Sequence, residues 1–129
     1  MQPQVKPFAF SNQLDVGFLK EVYDGDMEYA ADIFEIFLDT IDEERENLKA
    51  SLEGEDCQEI RACAHKMKPT FSMVGLTDLT EQFKTLETAA RYNKLDRVKE
   101  IYKAIRNELT EKVPLLIDQQ KQLLAHLGK

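Results

Sequence analysis

The chain has 129 residues, 43% apolar and 32% charged, with 17 Lys and Arg against 24 Asp and Glu for a net charge of −7. That is the balance of one globular domain, not of a disordered tail, and the acid surplus disfavours a nucleic-acid-binding protein. No apolar run approaches the roughly 18 residues of a membrane span, and residues 1–7 lack the basic-then-apolar layout of a secretion signal.

Residues 1–10, punctuated by Pro3 and Pro7, read as an N-terminal extension whose Phe8 and Phe10 are expected to pack onto the body. Residues 11–129 read as the domain. Leu14, Phe18 and Val22 predict a short amphipathic helix that stops at Asp24-Gly25-Asp26, and Asp26 is a good N-cap for the second helix. This second helix places Phe34, Phe37, Ile41, Leu48 and Leu52 on one stripe and ends at Gly54. Asp56 with Glu59 three residues on resembles a capping box.

The third helix carries Ile60, Ala64, Met67, Phe71 and Val74 and closes at Gly75. A fourth, opened by Thr77 or Asp78, carries Leu79, Phe83, Leu86 and Ala90 and closes near Asn93. A fifth runs from about Asp96 through Val98, Ile101, Ile105 and Leu109. Pro114 is expected to kink or restart it before Leu116, Ile117, Leu123, Leu124 and Leu127. Strand alternation and internal repeats are absent. The expected fold is all-α: an antiparallel up-down four-helix bundle with the short first helix as a lid. Cys57 and Cys63, six apart on one helix, cannot bridge each other, so nothing demands an oxidising compartment and a cytoplasmic location is expected. Met1 and the loose extension favour a free-standing protein, and the lack of a spare apolar stripe favours a monomer.

Charge singles out the third helix. Between Asp26 and Glu59 stand thirteen acidic residues and two basic ones, whereas residues 61–68 hold Arg61, Lys66, Lys68, His65 and no acid. At ~100° per residue, the stripe from Ile60 to Val74 stays within roughly 40° of one direction, and His65 points ~140° away from it. Arg61 and Lys68, at i−4 and i+3, share its face, with Ser72 a further turn along. No His-x-x-x-His or Cys-x-x-Cys pair supports a metal site, and no Gly-x-Ser-x-Gly supports a hydrolase. An exposed imidazole among cations suits phosphoryl acceptance: the cations disfavour the imidazolium, then attract the phosphoryl oxygens.

Ala64-His65-Lys66-Met67-Lys68, then Val74-Gly75-Leu76, Leu79 and Leu86-Glu87, resembles the histidine-containing phosphotransfer (HPt) domain of two-component phosphorelays. That family's pattern is Ala-His-x-x-Lys-Gly, a short spacer, a Gly, then Leu and Leu-Glu. The similarity runs from about Leu14 through Leu109 and includes Gly25-Asp26. It implies His65 as the residue phosphorylated through Nε2, Lys68 as the stabiliser of the phosphoryl oxygens, and Glu87 either as holder of the Nδ1 proton or as an ordinary helix carboxylate. It also implies a carrier, not an enzyme in its own right, that shuttles phosphoryl groups between receiver domains and works with a hybrid sensor histidine kinase. The chain needs no cofactor of its own, because the receiver supplies Mg²⁺. Arg61, Lys66, Pro69, Ser72, Met73 and Ile36 are the candidate partner-binding residues, with Ile33, Phe18 and Leu19 nearby; among the apolar ones Met73 is expected to be exposed.

The family's glycine after the lysine is Pro69 here. Proline gives no N–H to the carbonyl of His65 and crowds it, so a kink is expected at the site, along with a narrower approach for partners. The competing reading is a helical adaptor bundle that binds signalling partners without phosphohistidine, and a small metal-binding bundle is more remote. Retention of both His65 and Lys68 favours the carrier.

Overall fold

Each helix forms where apolar residues recur at three and four, because only a helix lines them up on one face that can leave water. The computed structural model describes residues 7–129; Met1, Pro3 and the rest of residues 1–6 lie outside the described residues. Five helices run in order: α1 (Val16–Tyr23), α2 (Met27–Glu53), α3 (Cys57–Ser72), α4 (Thr77–Arg91) and α5 (Leu95–His126). No strand occurs among the described residues, and none of these helices is long and apolar enough to cross a membrane. Helices α2 to α5 pack each on the next, and α5 returns against α2, so the four enclose one core.

That core holds most of the residues the periodicity picks out, but beyond Pro114 Ile117 is exposed and Leu124 and Leu127 are only half-buried. Phe34, Ile41, Leu48, Ile60, Ala64, Met67, Phe71, Leu79, Phe83, Leu86, Val98, Ile105 and Leu109 are all buried. Phe71 stacks on Phe83 at 4.7 Å between ring centroids and meets Phe37 edge-on at 5.6 Å. Such pairs stabilise by about 0.5–1.5 kcal/mol beyond the area they bury, and they clamp α3 between α2 and α4. Phe10 lies flat against Phe34 at 6.1 Å, and Phe8 packs edge-on to Phe10 and His126.

The local signals resolve unevenly. Asp26 and Asp56 cap α2 and α3 by accepting from the N–H groups of Tyr29 (3.0 Å) and Glu59 (3.1 Å). The Asp56 cap is one-sided, since its own N–H goes to the Ser51 carbonyl at 3.2 Å and not to Glu59. Gly54 does cap α2 but stays right-handed at φ −77°; the left-handed residue is Glu55 at φ 51°. Neither Thr77 nor Asp78 caps α4. Leu76 holds that position without a side-chain bond, and the Thr77 hydroxyl donates to Asp15 instead, at 3.0 Å. Helix α5 runs unbroken through Pro114, with no restart, and α3 runs unbroken through Pro69.

In α1 the expected stripe is one residue out of register. Leu19 and Tyr23 are fully buried, Phe18 and Val22 only half, and Leu14 is buried ahead of the helix. The cause is non-local: the helix is fastened at both ends to the far end of α3. The Asp15 N–H donates to the Gly75 carbonyl at 2.8 Å, and the Tyr23 hydroxyl donates to the Met73 carbonyl at 2.5 Å. Burial, helped by neighbouring Tyr29, pushes the Tyr23 hydroxyl well above the usual phenol range, so it stays a donor. Gly75 sits at φ +81°, where a Cβ would come within 2.8 Å of the Leu14 Cβ and 2.9 Å of the Leu19 Cδ1. Only glycine allows that approach.

Candidate functional site

Because Ala64 and Met67 are buried, the intervening His65 is turned outward, and 72% of its side chain is exposed. Helix α4 supplies what the sequence leaves open. Burial of Leu86 and Ala90 points Glu87 toward α3, where its Oε1 lies 2.8 Å from His65 Nδ1. A carboxylate can only accept, so Nδ1 carries the proton and donates it. In the neutral ring Nε2 is then the unprotonated nitrogen, and it makes no hydrogen bond among the described residues.

The other oxygen of Glu87 accepts from Lys68 Nζ at 2.7 Å, with both side chains largely sheltered, at 25% and 19% exposed. One carboxylate thus bridges the imidazole and the ammonium. Partial burial pushes the Glu87 carboxyl up, but the hydrogen bonds and charges of Lys68 and His65 outweigh it and hold the group below its usual range. The charge nearest the ring is therefore this carboxylate and not, as the sequence suggests, a cation. Lys68 reaches the site although Pro69 comes directly after it: the helix is not interrupted there, and Pro69 itself is exposed.

The remaining candidates surround the ring in different ways. Arg61 is exposed and lines a shallow cleft of about 330 Å³ with Gln58, Ala62, His65 and Glu87. Sequence reasoning missed Gln58 and Ala62, which at i−7 and i−3 from His65 share its face. The Ser72 hydroxyl pairs with that of Thr80 at 2.8 Å, so it ties α3 to α4. Lys66 is exposed on the other side, near Glu44 of α2, whose carboxyl is raised by burial against the pull of Lys66. Met73 is half-buried against the core, contrary to its expected exposure, at the point where the Tyr23 hydroxyl ties α1 to its carbonyl. Ile36 is the exposed apolar residue, at 58%, with Ile33 half-buried beside it on α2.

Among the described residues no group of three or more His, Cys, Asp or Glu is placed to hold a metal ion. Cys57 and Cys63 are free, and the Cys63 thiol lies 3.6 Å from the Ser51 hydroxyl.

The family model of the Hpt domain matches residues 32–123, which takes in α3, α4 and most of α2 and α5. Comparison with curated proteins and with solved structures returned no match.

Proposed function

The chain belongs to the Hpt domain family, and from that premise we propose that His65 Nε2 accepts a phosphoryl group from the aspartyl phosphate of one receiver domain and passes it to an aspartate of another. The family's role is histidine phosphotransfer within phosphorelays, as a carrier that meets receiver domains and kinases and not as a classical enzyme. The observation that supports His65 as the acceptor is the Glu87 bridge, which fixes the proton on Nδ1 and leaves the lone pair of Nε2 facing solvent.

The transfer balances simply. The Nε2 lone pair forms the N–P bond as the P–O bond to the aspartate breaks, and that oxygen leaves as carboxylate. The ring, still protonated at Nδ1, becomes cationic, and Glu87 sits ready to hold that charge. Lys68 is the donor nearest the arriving phosphoryl oxygens. The receiver supplies Mg²⁺ and most of the catalytic groups, while this chain contributes a positioned nucleophile and a surface to dock on. Ile36, Ile33, Phe18, Val22 and Met73 offer apolar area for that docking, with Arg61 and Lys66 facing an acidic pocket of the partner.

The same reading takes residues 11–129 as the functional unit and α2–α5 as an antiparallel up-down bundle, with α1 as its lid. In support, later residues of α3 pair with earlier ones of α4, Ser72 with Thr80 and His65 with Glu87. It also takes the protein as a cytoplasmic monomer.

The test is incubation with a phosphorylated receiver, scored for acid-labile, base-stable label. Wild type should take up label, and His65→Gln should not, while its melting temperature stays nearly unchanged, since exposed substitutions cost within about 0.5 kcal/mol. Label persisting in the variant would place the acceptor elsewhere. No label on wild type from any of a panel of receivers would favour the adaptor reading.

A further inference from the structure

A second feature lies on the opposite flank of α4. The α4–α5 turn is fixed by backbone bonds: Tyr92 caps α4, Asn93 adopts left-handed geometry at φ 55°, and the Asn93 and Lys94 N–H groups donate to the carbonyls of Ala90 (3.1 Å) and Ala89 (3.0 Å). This turn sets Tyr92 and Lys94 against a cleft of about 490 Å³ between the end of α4 and the start of α5. Its floor is apolar. The hydroxyls of Thr85 and Thr88 are committed to the carbonyls of Glu81 (3.1 Å) and Lys84 (3.0 Å), which leaves their methyls for the cleft beside Ala89 and the Tyr92 ring.

Its rim is cationic. Lys84, Lys94 and Arg97 line it, no acidic residue does, and the Arg91 guanidinium lies 6.0 Å from the centre of the Tyr92 ring. Among the described residues Lys84, Arg91 and Lys94 form no ion pair, and Arg97 has only a loose one, to Glu100 at 3.9 Å. Tyr92 is 63% exposed, the most of any large apolar side chain among the described residues, and a cation against its face keeps the ring in place. A chain of net charge −7, with its acids massed between Asp26 and Glu59, repels an acidic partner over much of its surface. At this cleft the sign reverses.

We propose that the α4–α5 cleft binds an acidic peptide segment of a partner protein, with an apolar side chain on the Tyr92 floor and flanking carboxylates on Lys84, Lys94 and Arg97. Charge of this kind steers the encounter, and the apolar floor fixes the register of the bound segment. The cleft shares no lining residue with the one beside His65, so binding here is separable from phosphotransfer.

The probe is a short blocked peptide of leucine flanked by glutamates, titrated into the isotope-labelled full chain while backbone amide resonances are monitored. Shifts should concentrate at Thr88, Ala89, Tyr92 and Lys94 and weaken as salt rises. Lys94→Glu with Arg97→Glu should weaken binding by about tenfold, and Tyr92→Ala should also weaken it, as expected for loss of a few exposed charge pairs and an aromatic anchor. All three positions line the cleft, not the core, and amide resonances unchanged away from the cleft serve as the check that the variants are folded. The proposal is overturned if the peptide shifts no resonance at the cleft, if a glutamine version binds equally well, or if charge reversal leaves the titration unchanged. Equal shifts from a single-stranded oligonucleotide would also overturn it, by showing a general polyanion surface.

Discussion

Replacing Glu87 by glutamine is expected to harm phosphoryl acceptance more than replacing it by alanine. The glutamate uses two acceptor oxygens, one for His65 Nδ1 at 2.8 Å and one for Lys68 Nζ at 2.7 Å. Glutamine has one acceptor and one donor. Its oxygen goes to the charged and better sheltered Lys68, where a charge-assisted bond is stronger, which turns its amide N–H toward Nδ1. Nδ1 must then accept, so the ring proton moves to Nε2 and blocks the nitrogen that attacks. Alanine imposes neither tautomer. A hydrogen bond to a charged group contributes about 1.5–3 kcal/mol, and His65, 72% exposed, stands at or below the lower end of that range. Reversing a preference of about 1–1.5 kcal/mol slows the reaction by about five- to tenfold in Glu87→Gln, with about half that energetic loss in Glu87→Ala. The assay is the initial rate of label transfer from a phosphorylated receiver, together with imidazole nitrogen shifts that report the tautomer. The lowered Glu87 carboxyl adds a pH check with a definite sign. A depressed folded value means that the contribution is full above the ordinary glutamate range and is lost only as pH falls through the lower folded value. The Glu87 carboxylate should thus stay an acceptor for Nδ1 and Lys68 as pH falls through the ordinary glutamate range. An alanine variant slower than the glutamine variant, or an unchanged tautomer in the glutamine variant, would refute the reasoning and leave Glu87 as a counter-ion for Lys68 alone.

Lys68→Ala should slow transfer more than it weakens binding of the unphosphorylated receiver, because its charge matters most while negative charge is in transit; equal losses in rate and affinity would make it a docking residue. Pro69→Gly should widen acceptance from non-cognate receivers with little loss toward the cognate one, measured as transfer rates across a panel, since the exposed ring stands beside the nucleophile's turn. Gly75→Ala should cost about 2–4 kcal/mol in denaturant unfolding, from the left-handed backbone and from a Cβ driven to within 2.8 Å of Leu14, and a loss below about 1 kcal/mol would show that α1 yields at little cost.

Helices α2 to α5 were legible because each repeats its apolar spacing over fifteen residues or more, long enough for one face to define itself. Helix α1 has eight residues and about two turns, so Phe18 and Leu19 compete for the same inward position, and the choice falls to bonds with Gly75 and Met73 that lie fifty or more residues away. The caps divide the same way. Asp26 and Asp56 act on N–H groups three residues on, whereas Leu76 and Lys94 head their helices with no side-chain acceptor to announce them. The outward aim of His65 came from stripe geometry alone. Its partner Glu87, twenty-two residues away on another helix, entered only through the family resemblance, and nothing in the sequence placed Lys68 on the same carboxylate.

That shared carboxylate sets how the proposed site handles charge. Before transfer, Glu87 is engaged by a neutral ring and a cationic lysine, and Lys68 is its stronger partner. On transfer the ring gains positive charge while three phosphoryl oxygens arrive beside it, so one attraction of Glu87 strengthens as the other is relaxed. The carboxylate then binds the ring more tightly, and the ammonium is drawn toward the phosphoryl group. Lysine suits this exchange better than arginine. Its ammonium has three donors on a flexible stem and can reach a phosphoryl oxygen before it releases Glu87, whereas a guanidinium matched to both carboxylate oxygens would displace the imidazole from one of them. Lys68 leans on Glu87 at rest, so the ion pair that orients the nucleophile also stores the cation that the phosphoryl group will need.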